Sequence, residues 1–159
     1  MPIVFAILLS LSAEQAQVPA TFITKEEHEQ VLKEQTARNA VDVPLKATNV
    51  LGGKASVARL RRTRPETNAL IHDYVTETYY IMSGSGTFVT GGSLGGAKPT
   101  DLSNVNAGMS QTGSRIGGES RRVKPGDIVI VPAGTPHSFS ELDGPIEYLV
   151  YRFEPTAKK

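Results

Sequence analysis

The chain has 159 residues, 39% of them apolar, with 17 Lys and Arg against 16 Asp and Glu for a net charge of +1. That is enough chain for one packed domain, and the charge is too balanced to recruit nucleic acid or an anionic membrane through a bulk field. With no cysteine there is no disulfide framework, thiolate metal site or cysteine nucleophile.

The one standout apolar run, Ile3 to Leu11, is too short to span a bilayer. Small and polar residues follow it, so residues 1–17 read as a secretory signal peptide cut to a start between Ser12 and Thr21. This implies a secreted or periplasmic protein. The alternative is an N-terminal element packed on a cytoplasmic domain. Residues 18–40 form a helical arm. Thr24-Lys25-Glu26-Glu27 fits a capping box, helix formers run from Lys25 to about Ala37, and Asn39 is a stop. Its apolar face is thin, Val31 and Leu32 with Ala37 further on, so the helix is expected against the outside of the domain. His28, among Glu26, Glu27 and Glu29, reads as solvated.

From residue 41 to 155 the pattern is strand and turn. Runs at Val41–Thr48, Ala55–Thr63, Ala69–Tyr74, Glu77–Met82 and Gly86–Thr90 carry β-branched or aromatic residues. Gly91 to Gly113 is polar and rich in Gly, Ser and Asn, and reads as an extended surface loop. Strands resume at about Arg115–Val123, Asp127–Val131, His137–Leu142 and Ile146–Phe153. Eight to ten short strands at this spacing predict an all-β sandwich or barrel. Arg59, Arg61, Arg62 and Arg64 share one strand without aromatic interleaving, which predicts a solvent-facing or edge strand guarded by charge.

Two segments carry chemistry. In Gly126-Asp127-Ile128-Val129-Ile130-Val131-Pro132-Ala133-Gly134-Thr135-Pro136-His137, turns bracket an apolar strand and His137 opens the next one. In His72 to Gly86, Glu77 opens a strand on which Glu77, Tyr79 and Ile81 share a face. A carboxylate on an apolar face is costly unless a cation meets it. A metal would do so. Hydrogen bonding of Glu77 and His137 within a barrel is the alternative.

These segments resemble the two motifs of the cupin superfamily, small double-stranded β-helix (jelly-roll) barrels. The second motif matches at Gly126, Pro132, Gly134 and His137, with Glu141 where Asn is usual. The first matches at His72, Glu77 and Gly84, with Leu70 at its first-histidine position and its opening Gly absent. The resemblance implies His72, Glu77 and His137 as ligands of one divalent metal ion, Fe, Mn, Zn or Ni. Two histidines and a carboxylate leave coordination positions open. Asp73, a conceivable substitute ligand, should face away from His72 by strand alternation. Alternation puts Tyr79, Ile81, Phe88, Phe139 and Glu141 on the inner lining and Tyr74 near the mouth; Tyr79 and Glu141 are the candidate catalytic groups, Glu141 as a base. The implied function is a metal-dependent enzyme of oxygenase, isomerase or lyase type acting on a small organic molecule. The alternative is a cupin that binds a small ligand without turnover. The expected partners are that small molecule and a second copy in a homodimer, with neither nucleic acid nor membrane.

Overall fold

The computed structural model describes residues 19–157. The signal-peptide expectation for residues 1–17 lies outside them. Helix α1 (Lys25–Arg38) begins at Thr24, whose hydroxyl accepts from the Glu27 N–H while the Glu27 carboxylate accepts from the Thr24 N–H. It ends at Asn39 in the left-handed conformation, φ 50°. Both ends are thus set by the local sequence.

Eleven strands follow among the described residues: β1 (Asp42–Val50), β2 (Gly53–Arg62), β3 (Ala69–His72), β4 (Thr76–Ser83), β5 (Gly86–Thr90), β6 (Ser93–Leu102), β7 (Gly108–Ile116), β8 (Glu119–Val123), β9 (Ile128–Val131), β10 (His137–Leu142) and β11 (Ile146–Pro155). They form two antiparallel sheets, one ordered β1-β2-β11-β4-β9 and the other β6-β7-β3-β10-β5-β8. This is the double-stranded β-helix. Its core is made by the inward positions of facing strands, including Leu60, Tyr79, Ile81, Phe88, Phe139, Ile146, Tyr148 and Val150. Gly84 closes the β4–β5 turn at φ 75°, where a Cβ would strike the Pro145 carbonyl, so only glycine fits this corner. No helix of the described residues is long and apolar enough to cross a membrane.

Three expectations fail. Residues 93–113 are not a loop: β6 and the start of β7 form a hairpin through a 3₁₀ turn at Ser103–Val105. Its composition misleads because a ladder of backbone hydrogen bonds tolerates Gly, Ser and Asn where little side chain is buried. Nor is the arginine-rich strand an edge. β2 lies between β1 and β11, and Arg59 is only 2% exposed. Helix α1 covers it, with Gln35 Nε2 donating to the Val41 and Arg59 carbonyls at 2.8 and 3.1 Å. Arg59 donates to His28 Nε2 and to Glu147 Oε2, each at 2.5 Å, so His28 is half-buried and engaged rather than solvated.

Candidate metal centre

The centre is assembled from three strands. β4 places Glu77 inward by its alternation, with Tyr79 and Ile81 on the same face. His72 ends β3 and His137 opens β10, which sit side by side in the opposite sheet with His137 facing Leu70 in register. All three side chains are nearly sealed from solvent: Glu77 is 1% exposed, His72 3% and His137 4%. One ligand atom from each lies within 4.8 Å of the other two. Both imidazole Nε2 atoms face the same carboxylate oxygen, Glu77 Oε2, at 3.3 Å from His72 and 3.4 Å from His137.

The far nitrogens fix the tautomers. His137 Nδ1 lies 3.0 Å from the Thr135 carbonyl, which can only accept, so Nδ1 carries the proton. His72 Nδ1 lies 2.8 Å from Ser110 Oγ, whose own hydroxyl has the Gly108 carbonyl 3.1 Å away as acceptor. Ser110 is thus placed to accept from His72 Nδ1–H while donating to the Gly108 carbonyl. In their neutral forms both imidazoles turn an Nε2 lone pair toward a carboxylate oxygen. Three electron-rich atoms meeting in a buried space repel one another unless a cation, proton or metal, sits among them.

Glu77 stays ionised in this burial. Desolvation works against its charge, but a proton shared with the His137 or His72 Nε2 and the nearby Arg152 guanidinium outweigh it and hold its pKa well below the usual carboxylate value. Arg152 Nε donates to Glu77 Oε1 at 2.8 Å, and Tyr79 Oη donates to Oε2 at 2.8 Å. Burial and the Glu77 charge push the Tyr79 hydroxyl well above its ordinary pKa, so it remains a donor. For His137, burial disfavours the imidazolium, yet the hydrogen bond to Glu77 and its charge prevail and raise the pKa.

The structure brings His72, Glu77, His137 and Tyr79 together and leaves Glu141 out. Strict alternation puts Glu141 on the His137 face, but a bulge between Phe139 and Glu141 shifts the register. Glu141 is exposed and accepts from Thr87 Oγ1 at 2.8 Å, on the outside of the barrel. A role as inner-lining base is thereby corrected. Asp73 accepts from Gln111 Nε2 and does not join the cluster. Tyr74 is half-buried. Ile81, Phe88 and Phe139 are core. Phe88 and Tyr79 also flank His137, with ring centroids 6.1 and 6.2 Å away.

Two participants escape sequence reasoning. Ser110 falls in the stretch taken for a loop, where nothing marks it. Arg152 does leave a signal: Ile146, Tyr148, Val150 and Arg152 alternate along β11, and a cation at the end of an apolar face needs a buried anion.

Residues 111–158 match the family model of the AraC-like ligand-binding domain. Among solved structures, the chain is similar to a protein from Bacillus halodurans, at 17% identity and a TM-score of 0.50, over 87% of this chain and 85% of that one. The chain has the cupin fold. A protein with a double-stranded β-helix domain from Klebsiella pneumoniae is also similar (12% identity, TM-score 0.45, 75% of this chain and 82% of that one). A DMSP lyase from Ruegeria pomeroyi aligns at 19% identity and a TM-score of 0.43, over 68% of this chain but only 41% of its own length. No curated protein matches at a significant level. Within the cupin barrel, the two sheets bring both motif segments onto one cluster of donor atoms.

Proposed function

We propose that this cupin is a metal-dependent enzyme acting on a small organic molecule, with one divalent ion held by His72 Nε2, His137 Nε2 and Glu77 Oε2. One observation carries the reading: two imidazoles, each anchored through Nδ1, aim Nε2 at the same buried carboxylate oxygen. Nitrogen and oxygen donors of this kind suit Fe, Mn, Zn or Ni. A divalent ion held by three protein donors supplies open positions at which a substrate oxygen is polarised or dioxygen binds, chemistry common to oxygenases, isomerases and lyases. The chain's own part is to keep the donors oriented and dry: Tyr79 holds Glu77 Oε2, Phe88 walls the His137 side, and Leu70, at the first-histidine position, adds no fourth donor.

Metal analysis of protein purified from its natural source, followed by titration of the chelated protein with each ion, tests the reading. One tightly held ion per chain supports it. A chelated wild-type chain that takes up none of the four ions ends it. The match of residues 111–158 to a ligand-binding domain favours a second reading, capture of a small molecule without turnover. Metal uptake with ligand binding but no product from any small-molecule panel would select it.

The same reading extends to two further proposals. Export follows from the N-terminal run, and N-terminal sequencing of the native protein decides it. A homodimer is supported by the outer face of β4, β9 and β11, where Tyr80, Tyr151 and Phe153 are exposed and Ile128 and Ile130 are each 66% exposed. Light scattering at micromolar concentration checks it: a dimer is expected, and a monomer would refute the pairing.

A further inference from the structure

Arg152 stands directly opposite Glu77 in the β11–β4 ladder, at the end of the inward row Ile146, Tyr148 and Val150. It is 4% exposed, yet each nitrogen of its guanidinium is engaged. Nε donates to Glu77 Oε1 at 2.8 Å, NH2 to Asp42 Oδ2 at 2.6 Å, and NH1 to the Val105 carbonyl at 2.6 Å with a longer approach to Asp42 Oδ1 at 3.4 Å. Glu77, Asp42 and Val105 belong to three separate segments, β4, β1 and the 3₁₀ turn. A planar fork can satisfy all three at once, and a lysine ammonium cannot do so in the same plane.

We infer that Arg152 is a positioning residue of the metal centre: it takes Glu77 Oε1 out of the coordination set and supplies the charge that keeps this carboxylate buried before any ion binds. The inference rests on the metal reading above. A carboxylate with both oxygens free can ligate through two of them. Here Oε1 is tied to a guanidinium, and Oε2 alone faces the two Nε2 atoms. The coordination position that a second carboxylate oxygen would fill is thus left for substrate. Arg152 also removes the need for a metal to hold the fold together, since Glu77 already has a buried counter-ion.

The test uses the full chain, stripped by chelation and reloaded with Co²⁺, whose visible absorption reports coordination number. Three proteins are compared: wild type, Arg152→Lys and Arg152→Met. The lysine variant keeps the charge and gives up the fork. It is expected to fold and bind Co²⁺, but with weaker, shifted bands as Oε1 joins the ion. The methionine variant leaves a buried unpaired carboxylate. When stripped it is expected to melt about 10 °C below wild type, and Co²⁺ should restore most of that loss. If the methionine variant does not fold, the lysine spectrum alone decides. Wild-type Co²⁺ bands in both variants, with an unchanged melting point of the stripped protein, overturn the role of Arg152 and leave the metal reading standing. A wild-type chain that binds neither Co²⁺ nor any of Fe, Mn, Zn and Ni overturns both.

Discussion

Two clusters in this barrel draw on the same residue types and come to different ends. At the centre, His72, His137, Glu77 and Arg152 meet between the sheets; under helix α1, His28, Glu147 and Arg59 meet on the outside of one sheet. Each contains an arginine sealed from water and paired with a glutamate. They differ in where the imidazole lone pair goes. In the centre each Nδ1–H is spent on an oxygen acceptor and Nε2 is left aimed at Glu77. Under the helix, His28 Nε2 lies against an Arg59 N–H, a group that can only donate, so its lone pair is consumed. The first arrangement gathers donor atoms around a space for a cation. The second is a strut between helix and sheet. Residue type alone does not make a metal site; free lone pairs converging on one point do.

The contrast is broken most directly by removing one histidine from each cluster. His137→Ala should abolish stoichiometric binding of a divalent ion, because the remaining imidazole and carboxylate cannot compete with water and buffer. His28→Ala should leave the metal stoichiometry at its wild-type value. Titration calorimetry of the two variants gives the comparison, and equal loss in both would refute the distinction.

Next in size is Glu147→Gln, which strands the Arg59 charge beneath α1. Removing one partner of a buried pair typically costs 3–5 kcal/mol; with Glu147 partly solvated we expect about 2–3 kcal/mol, a fall in Tm of roughly 5–10 °C. The metal affinity should not move. Thermal melts with and without bound ion check both halves.

Ser110→Ala acts on the other cluster and more gently. It deletes the acceptor for His72 Nδ1–H, freeing the ring to rotate or change tautomer. Metal affinity should fall about 10–100-fold, the usual penalty for losing such a partner, with little change in Tm of the stripped protein. An unchanged affinity would mean that the His72 orientation is set by packing instead.

How far the two clusters can be read in the sequence differs for a physical reason. The centre lies on period-two strands next to turns with fixed glycines and prolines, so alternation alone places Glu77 and Tyr79 on one face, and it is the resemblance to the cupin motifs that adds His72 and His137. That logic holds until a bulge interrupts it, which is why Glu141 falls on the wrong side. Arg152 leaves a trace in the alternation of β11, but sequence reasoning passes over it because nothing local names the carboxylate it meets. The strut under α1 was not legible at all. Val57, Arg59 and Arg61 face outward from β2, and nothing local says that a helix 20 residues earlier covers that face. The helix itself, by contrast, follows from its caps, which are contacts three residues apart. Local chemistry is readable, and alternation is readable between bulges. Which outer face is covered depends on docking, which neither pattern records.

The smallest effect expected is a pH dependence belonging to His28 alone. Burial, then the adjacent Arg59 charge, lowers its pKa, while Glu29 and Glu147 pull weakly the other way. The folded protein therefore releases the His28 proton at lower pH than the unfolded chain, whose histidines titrate near about 6.5. Between those two values the unfolded state binds more protons, so stability rises with pH there. The contribution of His28 is complete above about pH 6.5 and is lost as pH falls through the depressed folded value. His28→Gln cannot be protonated, and the substitution leaves the centre between the sheets untouched, so the contribution of that centre cancels in the difference. Wild type minus His28→Gln, measured as Tm at two pH values straddling that window, should drop by the order of 1–3 °C toward acid. A flat difference, or one that grows toward acid, would show that His28 and Arg59 are not in contact in solution and that the strut holds without them.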